Sequence, residues 1–383
     1  MGAYLFLMFY CIIMSRFIKQ NPQIIQGKFF NYNSNTLIYF LIILVYAFVV
    51  GLRYHVGADW ITYYEIYSRL NLFGVYYVED YDIGYYLLNV LTSKLNLGFY
   101  FITIFVSILT ILLLFKSICF AKFLLPIYFF FFFCIAFTES LNTMRQIVAN
   151  LGCFYAIQLL LEKKWRMSLA VFILAWSFHK SSIFALSYCI FLYVNPFNNR
   201  NINILLLVLS FVLGEFLYEN FKEFIISLGD IIPNSRFALG TTEYGFSVFE
   251  NQAVDWNAQI AKYFYLLVNI LIVWIAPQLK KIYKGYYFTY YFSLFMTGQL
   301  LQPILIYHSM FQRLNYFYYL YCILMLSFTC YALWHYKMDR LKLVHQRMIV
   351  IAIYLVYFVL YVKHIMSSVT YGNYHNYVLD VVL

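Results

Sequence analysis

Four short polar clusters interrupt a chain that is otherwise strongly apolar. They are Arg53-Tyr54-His55 with Asp59, Arg145-Gln146, His179-Lys180 and Gln312-Arg313. The planar guanidinium of an arginine offers paired donors that match the oxygens of a phosphate group. Several such groups beside one low-dielectric cavity would bind a diphosphate strongly. The competing interpretation of any single Lys or Arg is a membrane anchor whose cation reaches the lipid headgroups.

The composition requires a membrane for the elements that carry these clusters. Of the 383 residues, 64% are hydrophobic and 11% are charged, whereas a soluble domain is about 25% charged. Apolar runs long enough to cross a bilayer recur from end to end. We therefore predict an all-α, polytopic integral membrane helix bundle of about 12 transmembrane helices, forming a single domain over residues 1–383. The predicted spans are 3–18, 36–52, 98–115, 122–138, 143–161, 166–178, 181–195, 202–220, 260–277, 285–305, 313–333 and 347–366.

The charge distribution predicts which side of the membrane each loop faces. With these spans, most of the 26 Lys and Arg residues lie in loops of one side, and most of the 16 acidic residues lie in loops of the other. The basic side is cytoplasmic by the positive-inside rule. All four polar clusters then lie toward the external side.

Two segments decide the number of crossings. Residues 82–97 are short and amphipathic, so we place them as a surface helix within an external loop spanning 53–97. Residues 165–194 are interrupted by His179-Lys180-Ser181-Ser182, which predicts two short helices joined by a break. Broken helices at membrane depth occur where protein or a water-filled cavity surrounds them. A second, longer external loop is predicted at 219–257.

Composition and spacing argue against several classes of function. The seven cysteines form no CxxC pair, which argues against a zinc site or a disulfide framework. The net charge of +10 is not gathered into a basic cluster on a soluble face, which argues against nucleic acid as a partner. The acidic run Glu79-Asp80-Tyr81-Asp82 contains a DxD pattern, but we interpret it as a solvated turn. We predict no metal and no cofactor.

The order of several motifs resembles a known family. The segment Gly51 to Trp60 (GLRYHVGADW) is followed by Tyr63-Tyr64, Asp82-Ile83-Gly84-Tyr85 with Leu87-Leu88-Asn89, Asn142-Thr143-Met144-Arg145-Gln146, Phe178-His179-Lys180-Ser181-Ser182 and Phe311-Gln312-Arg313. This ordered set, covering most of the chain, resembles the EpsG-type polysaccharide polymerases of the Wzy class. The chain departs from the family at Ala58, where Thr is more common, and in the long loop at 219–257, which leaves acceptor specificity open.

The resemblance implies a reaction, a fold and a location. Such proteins are similar to the GT-C-type lipid-linked glycosyltransferases, and they move a growing glycan from undecaprenyl diphosphate to a lipid-linked repeat unit. The expected partners are the undecaprenyl-diphosphate-linked donor and acceptor oligosaccharides, membrane lipid and a chain-length regulator protein. The expected location is the bacterial inner membrane, with the active site facing the periplasm or the cell exterior. A polysaccharide ligase and a glycolipid transporter or flippase remain alternatives, although a transporter is expected to show related halves, and none is detectable in this sequence.

Within this reaction the polar clusters receive expected roles. Cations would stabilise the charge that develops on the leaving diphosphate, without a metal; they are Arg53, Arg145, Arg313 and Lys180. His179 is the expected general base for the attacking sugar hydroxyl, and Asp59 is its rival. Further substrate contacts are expected from His55, Gln146, Gln312 and His308.

Overall fold

The computed structural model describes residues 2–18, 35–57, 59–74, 82–231, 256–339, 341–366 and 378–379. Nearly all of these residues are helical. Strands β1 (Arg53–Tyr54) and β2 (Val378–Leu379) pair antiparallel, with Arg53 opposite Leu379. The contacts divide the chain into two compact units: the first comprises 1–185, 333–335 and 343–383, and the second comprises 186–332 and 336–342.

Helices α1 to α14 follow one another along the described ranges. They are α1 (Gly2–Arg16), α2 (Asn35–Gly51), α3 (Trp60–Phe73), α4 (Ile83–Lys94), α5 (Phe99–Ser117), α6 (Leu125–Ile135), α7 (Phe137–Asn142), α8 (Met144–Leu161), α9 (Trp165–Phe178), α10 (Arg200–Ile231), α11 (Trp256–Ile282), α12 (Phe288–Leu305), α13 (Ser309–His335) and α14 (Leu343–Met366). Between them, 3-10 helices cover Cys119–Leu124, Lys180–Leu192 and Lys284–Tyr286.

The helices confirm an all-α membrane protein. Each of the twelve predicted spans overlaps one or more helical segments. Among the described residues, six helices are long and apolar enough to cross a bilayer; they are Phe99–Ser117, Met144–Leu161, Arg200–Glu223, Ile260–Ile282, Phe311–His335 and Leu343–Met366. Helices satisfy their own backbone groups, which lipid cannot do. The count of twelve crossings stays a prediction.

Two boundaries bear on the predicted loops. Helix α4 covers most of the segment predicted as a surface helix, and its 12 residues are too few to span a bilayer. Helix α10 continues to Ile231, beyond the start predicted for the second external loop. The remainder of that loop, 232–255, lies outside the described residues.

Helix α8 is the central helix of the first unit, and nearly all its side chains are buried. Helix α9 packs closely against it through small residues. A Cβ atom at Gly152 would lie 2.9 Å from the Cβ of Ala175, and the Ser168 hydroxyl donates to the Ala156 carbonyl at 2.7 Å. These contacts fix how α9 lies along α8.

In the second unit, α10 packs closely on α12. The Ser210 hydroxyl donates to the Leu300 carbonyl at 2.6 Å. A Cβ atom at Gly214 would lie 2.6 Å from the carbonyl oxygen of Pro303. Because Leu300 and Pro303 are one helical turn apart, these contacts fix which side of α12 faces α10.

Candidate functional site

Asp82 joins side chains from three distant parts of the first unit. Its Oδ2 accepts from Nη1 of Arg145 at 3.1 Å and lies 3.3 Å from Nδ1 of His179. Its Oδ1 accepts from the main-chain N–H of Lys180 at 2.8 Å. We call Asp82, Arg145, His179 and Lys180 the Asp82 cluster.

The carboxylate of Asp82 is stabilised in its charged form. Burial alone would raise the pKa of this carboxyl, but the hydrogen bond and charge of His179, the charge of Arg145 and the Lys180 amide outweigh it and hold the pKa below its ordinary value. Asp82 is therefore an anion at neutral pH. It can orient a histidine ring and stabilise an imidazolium.

The break after α9 presents His179 and Lys180 to Asp82. His179 is extended, with φ −157° and ψ 114°, so the α-helical hydrogen-bond pattern stops there. A 3-10 helix begins at Lys180. The Lys180 amide, which would bond within a continuous α-helix, donates to Asp82 instead. The helix break predicted from the sequence is therefore present, and it creates an anion-binding amide.

Gly84 allows α4 to approach the end of α9. A Cβ atom there would lie 2.9 Å from the carbonyl oxygen of Ser177 and 2.5 Å from its hydroxyl. Any side chain would therefore push α4 away. Asp82 lies two residues before Gly84, and His179 lies two residues after Ser177. The contact between Gly84 and Ser177 therefore places the Asp82 carboxylate beside His179.

Arg145 is held by two aromatic rings in addition to Asp82. Its guanidinium carbon lies 5.4 Å from the ring centre of Tyr63 and 5.3 Å from that of Tyr85. Both rings are buried, and 19% of the Arg145 side chain is exposed. Contacts between a cation and the faces of aromatic rings stabilise the guanidinium and restrict its orientation.

Arg53 is buried, and its contacts differ from those expected of a phosphate ligand. Its Nη1, Nη2 and Nε donate to the carbonyls of Val50, Leu141 and Val56, at 2.6, 2.9 and 3.3 Å. Val50 and Leu141 lie near the C-terminal ends of α2 and α7, where carbonyls lack a helical partner. Arg53 thus stabilises the loop between α2 and α3, and its role as a diphosphate ligand stays a prediction.

The same loop docks on the end of α7 through Gly57 and Asp59. Gly57 has φ +98°, and a Cβ atom there would lie 2.9 Å from the Leu141 carbonyl. The main-chain N–H of Asp59 donates to Oδ1 of Asn142 at 2.9 Å. The structure therefore places His179 in the Asp82 cluster and Asp59 at the start of α3.

A family model described as EpsG family matches residues 36–379. The chain belongs to the EpsG family. No curated protein and no solved structure matched the chain. Membership gives this EpsG-family membrane protein a polysaccharide polymerase-type role. The matched range includes every residue of the Asp82 cluster.

His55 and Gln146 occupy different environments in this EpsG-family protein. His55 has φ +52°, and its ring centre lies 4.7 Å from that of Trp60 and 4.3 Å from that of Tyr54. The side chain of Gln146 is buried in α8. His55 is thus part of a partly exposed aromatic group, whereas Gln146 belongs to the interior of the unit.

The remaining predicted residues lie in the second unit. His308 is fully buried and caps α13, where its Nδ1 accepts from the Phe311 N–H at 3.4 Å. Gln312 is partly buried and Arg313 is exposed. The convergence of Arg313 with Arg145 on one cavity stays a prediction.

Asp82 is the residue of the site that the sequence pattern does not reveal. Its position in an acidic run favours a solvated turn, although the motif Asp82-Ile83-Gly84-Tyr85 contains the carboxylate, the glycine of the close approach and a ring that contacts Arg145. From this motif, Asp82 could have been predicted as a residue of the site. Within the described ranges, no group of three or more His, Cys, Asp or Glu residues is placed to hold a metal ion.

Proposed function

We propose that this protein is a polysaccharide polymerase of the bacterial inner membrane. It transfers a growing glycan from undecaprenyl diphosphate to a sugar hydroxyl of a lipid-linked repeat unit, on the periplasmic or external face. The observation that carries the proposal is the contact between Asp82 and Nδ1 of His179. The proposed base, the carboxylate that orients it, the guanidinium of Arg145 and the main-chain N–H of Lys180 meet in one cluster of a protein whose family is polymerase-like.

His179 is the general base. When Nδ1 carries the proton that is donated to Asp82, Nε2 has the free lone pair. Nε2 removes the proton from the attacking hydroxyl as its oxygen forms a bond to the anomeric carbon of the donor. The bond between that carbon and the diphosphate oxygen breaks, and its electron pair leaves with undecaprenyl diphosphate. The negative charge of Asp82 stabilises the imidazolium that results.

Arg145 and Lys180 stabilise the leaving group. In the Asp82 cluster the permanent cation of Arg145 pairs with one carboxylate, and proton uptake by His179 adds a second positive charge. The positive charge therefore rises as negative charge develops on the diphosphate oxygens. Arg313 is a further candidate for this role. Arg53 is left out of the set because three of its N–H groups donate to main-chain carbonyls.

The proposal is tested by deleting the gene in its host and resolving the surface polysaccharide on a gel. Loss of the ladder above one repeat unit supports the polymerase, whereas accumulation of free lipid-linked polymer supports a ligase. The deletion is complemented with wild-type, His179→Ala and His345→Ala genes. His345 is an exposed histidine of α14 and serves as the matched control. A full ladder with His179→Ala, at normal protein level, would contradict the mechanism.

A further inference from the structure

Four amide side chains form two hydrogen-bonded pairs within the second unit. Nδ2 of Asn269 on α11 donates to Oε1 of Gln299 on α12 at 2.6 Å. Nδ2 of Asn315 on α13 donates to Oε1 of Gln302 and, at 3.2 Å, to the Gly298 carbonyl. We call Asn269, Gln299, Gln302 and Asn315 the amide cluster. Polar side chains are costly within apolar spans, so such a cluster needs a structural or functional reason.

The amide cluster has unused hydrogen-bonding capacity. Within the part of the chain that the structure describes, Nε2 of Gln299 and Oδ1 of Asn315 are buried without a hydrogen-bond partner. Gln299 is 8% exposed and Asn315 is 1% exposed. The main-chain carbonyl of Gln299 also lacks its usual helical donor, because Pro303, four residues later, has no N–H. The cluster thus offers one amide NH2 group as donor and two carbonyl acceptors.

The cluster lies near one end of its helices and reaches the surface of the unit. Helix α10 contacts α12 at Leu300 and Pro303. On the adjacent side of α12, Gln299 faces α11 and Gln302 faces α13. Gln299 is six residues before the end of α12 at Leu305, which is about 9 Å along a helix axis. Asn269 and Gln302 are partly exposed. A ligand that enters from this end needs to descend only two helical turns.

We propose that the amide cluster binds a sugar ring through adjacent hydroxyl groups. Each hydroxyl both donates and accepts, so a neighbouring pair can serve the Gln299 N–H and the Asn315 oxygen together. The four amides are uncharged, and their free carbonyl oxygens would repel a phosphate. A lipid chain would leave the polar atoms unpaired. The inference rests on the proposed function for the source of the sugar, which is the repeat unit of the lipid-linked substrate.

The test is steady-state polymerisation by the purified full-length protein, with undecaprenyl-diphosphate-linked repeat unit isolated from the host. Gln299→Leu removes the unpaired donor, together with the oxygen that accepts from Asn269, while keeping the helix apolar. We expect KM to rise roughly tenfold, because a lost hydrogen bond that leaves its partner unpaired costs about this factor. We expect kcat to change by less than about twofold, because the chemical step is untouched. The matched control is Gln158→Leu, at another buried glutamine, which lies on α8 in the first unit.

Equilibrium binding of the same lipid-linked unit separates the two proposals. If the wild-type protein binds the unit but does not polymerise it, the proposed function fails, and weaker binding by Gln299→Leu still supports the sugar site. If Gln299→Leu lowers the melting temperature but leaves KM and binding unchanged, the amides serve only to join helices and the sugar site is overturned. The KM and the substrate binding of Gln299→Met, whose side chain is closer in shape to glutamine, are measured in parallel on the folded fraction. Unchanged binding by both variants, or no binding by the wild type, also overturns the site.

Discussion

Oδ2 of Asp82 lies 3.3 Å from Nδ1 of His179, although 97 positions separate the two residues in the chain. The same oxygen accepts from Arg145, and the second carboxylate oxygen accepts from the Lys180 amide. One carboxylate therefore sets the tautomer of the proposed base and fixes one cation beside it.

Replacement of Asp82 by Asn should lower kcat by about 10² to 10⁴ while the protein still folds. The amide of Asn can donate to Nδ1, which favours the tautomer whose Nε2 carries the proton and cannot act as a base. The measurement is turnover of purified protein with lipid-linked repeat units. Asp339→Asn, at an exposed residue of the second unit, is the control. An Asp82→Asn enzyme with wild-type kcat would show that the carboxylate does not orient the base.

Gly84→Ala should reduce activity by displacing Asp82 from His179. The added methyl group would lie 2.9 Å from the Ser177 carbonyl, which cannot rotate away. Overpacking of this kind typically costs about 1 to 3 kcal/mol of stability. Turnover and melting temperature are compared with those of Gly285→Ala, where a Cβ atom would meet nothing within 4 Å. Equal effects of the two substitutions would count against the role of the close contact.

Arg53→Lys should destabilise the fold without a specific effect on KM. An ammonium cannot reach three carbonyls in different directions, so hydrogen bonds worth roughly 3 kcal/mol of unfolding free energy are lost. Thermal melting in detergent measures the change. Arg69→Lys is the control, because Arg69 is exposed and pairs only with Glu65 among the described contacts. A raised KM at unchanged melting temperature would restore Arg53 to the set of substrate ligands.

The lowered pKa of Asp82 predicts how its stabilisation depends on pH. The pKa in the folded protein lies below the ordinary value of 3.8, so the contribution is fully present above about pH 4 and is lost as the pH falls through the folded value. The difference in melting temperature between wild type and Asp82→Asn should therefore be full at pH 5 and shrink as the pH falls below 3.8. If the two melting temperatures already converge between pH 7 and pH 5, burial dominates and raises the pKa of Asp82.

The helices could be predicted from the sequence because lipid imposes one local rule. In lipid, a run of apolar residues must form a helix so that its backbone N–H and C=O groups are hydrogen-bonded. Applying this rule requires no knowledge of the segments that pack against the helix. The break at His179 was predictable for the same reason, since four polar residues interrupt an apolar run. The amphipathic spacing of 82–97 likewise predicted a short helix, now seen as Ile83–Lys94.

The partners of the site residues depend on packing between distant segments, and no local pattern contains that information. Asp82 reaches His179 because Gly84 permits contact with Ser177, a relationship across almost a hundred residues. Arg53 has the residue type of a phosphate ligand, yet its guanidinium is taken by carbonyls of α2, α7 and the intervening loop. Residue type indicated the available chemistry, and tertiary contacts determined where it is used.

The most direct test of the account is the turnover of His179→Gln with purified lipid-linked repeat units. Glutamine keeps similar size and hydrogen-bonding ability but cannot accept and carry a proton near neutral pH. If His179 is the general base, His179→Gln should be nearly as inactive as His179→Ala, with a loss of about 10² to 10⁴ in rate and unchanged substrate binding. An active His179→Gln enzyme, with His179→Ala merely reducing the amount of folded protein, would contradict the account and return the assignment to Asp59 or to a mechanism without a protein base.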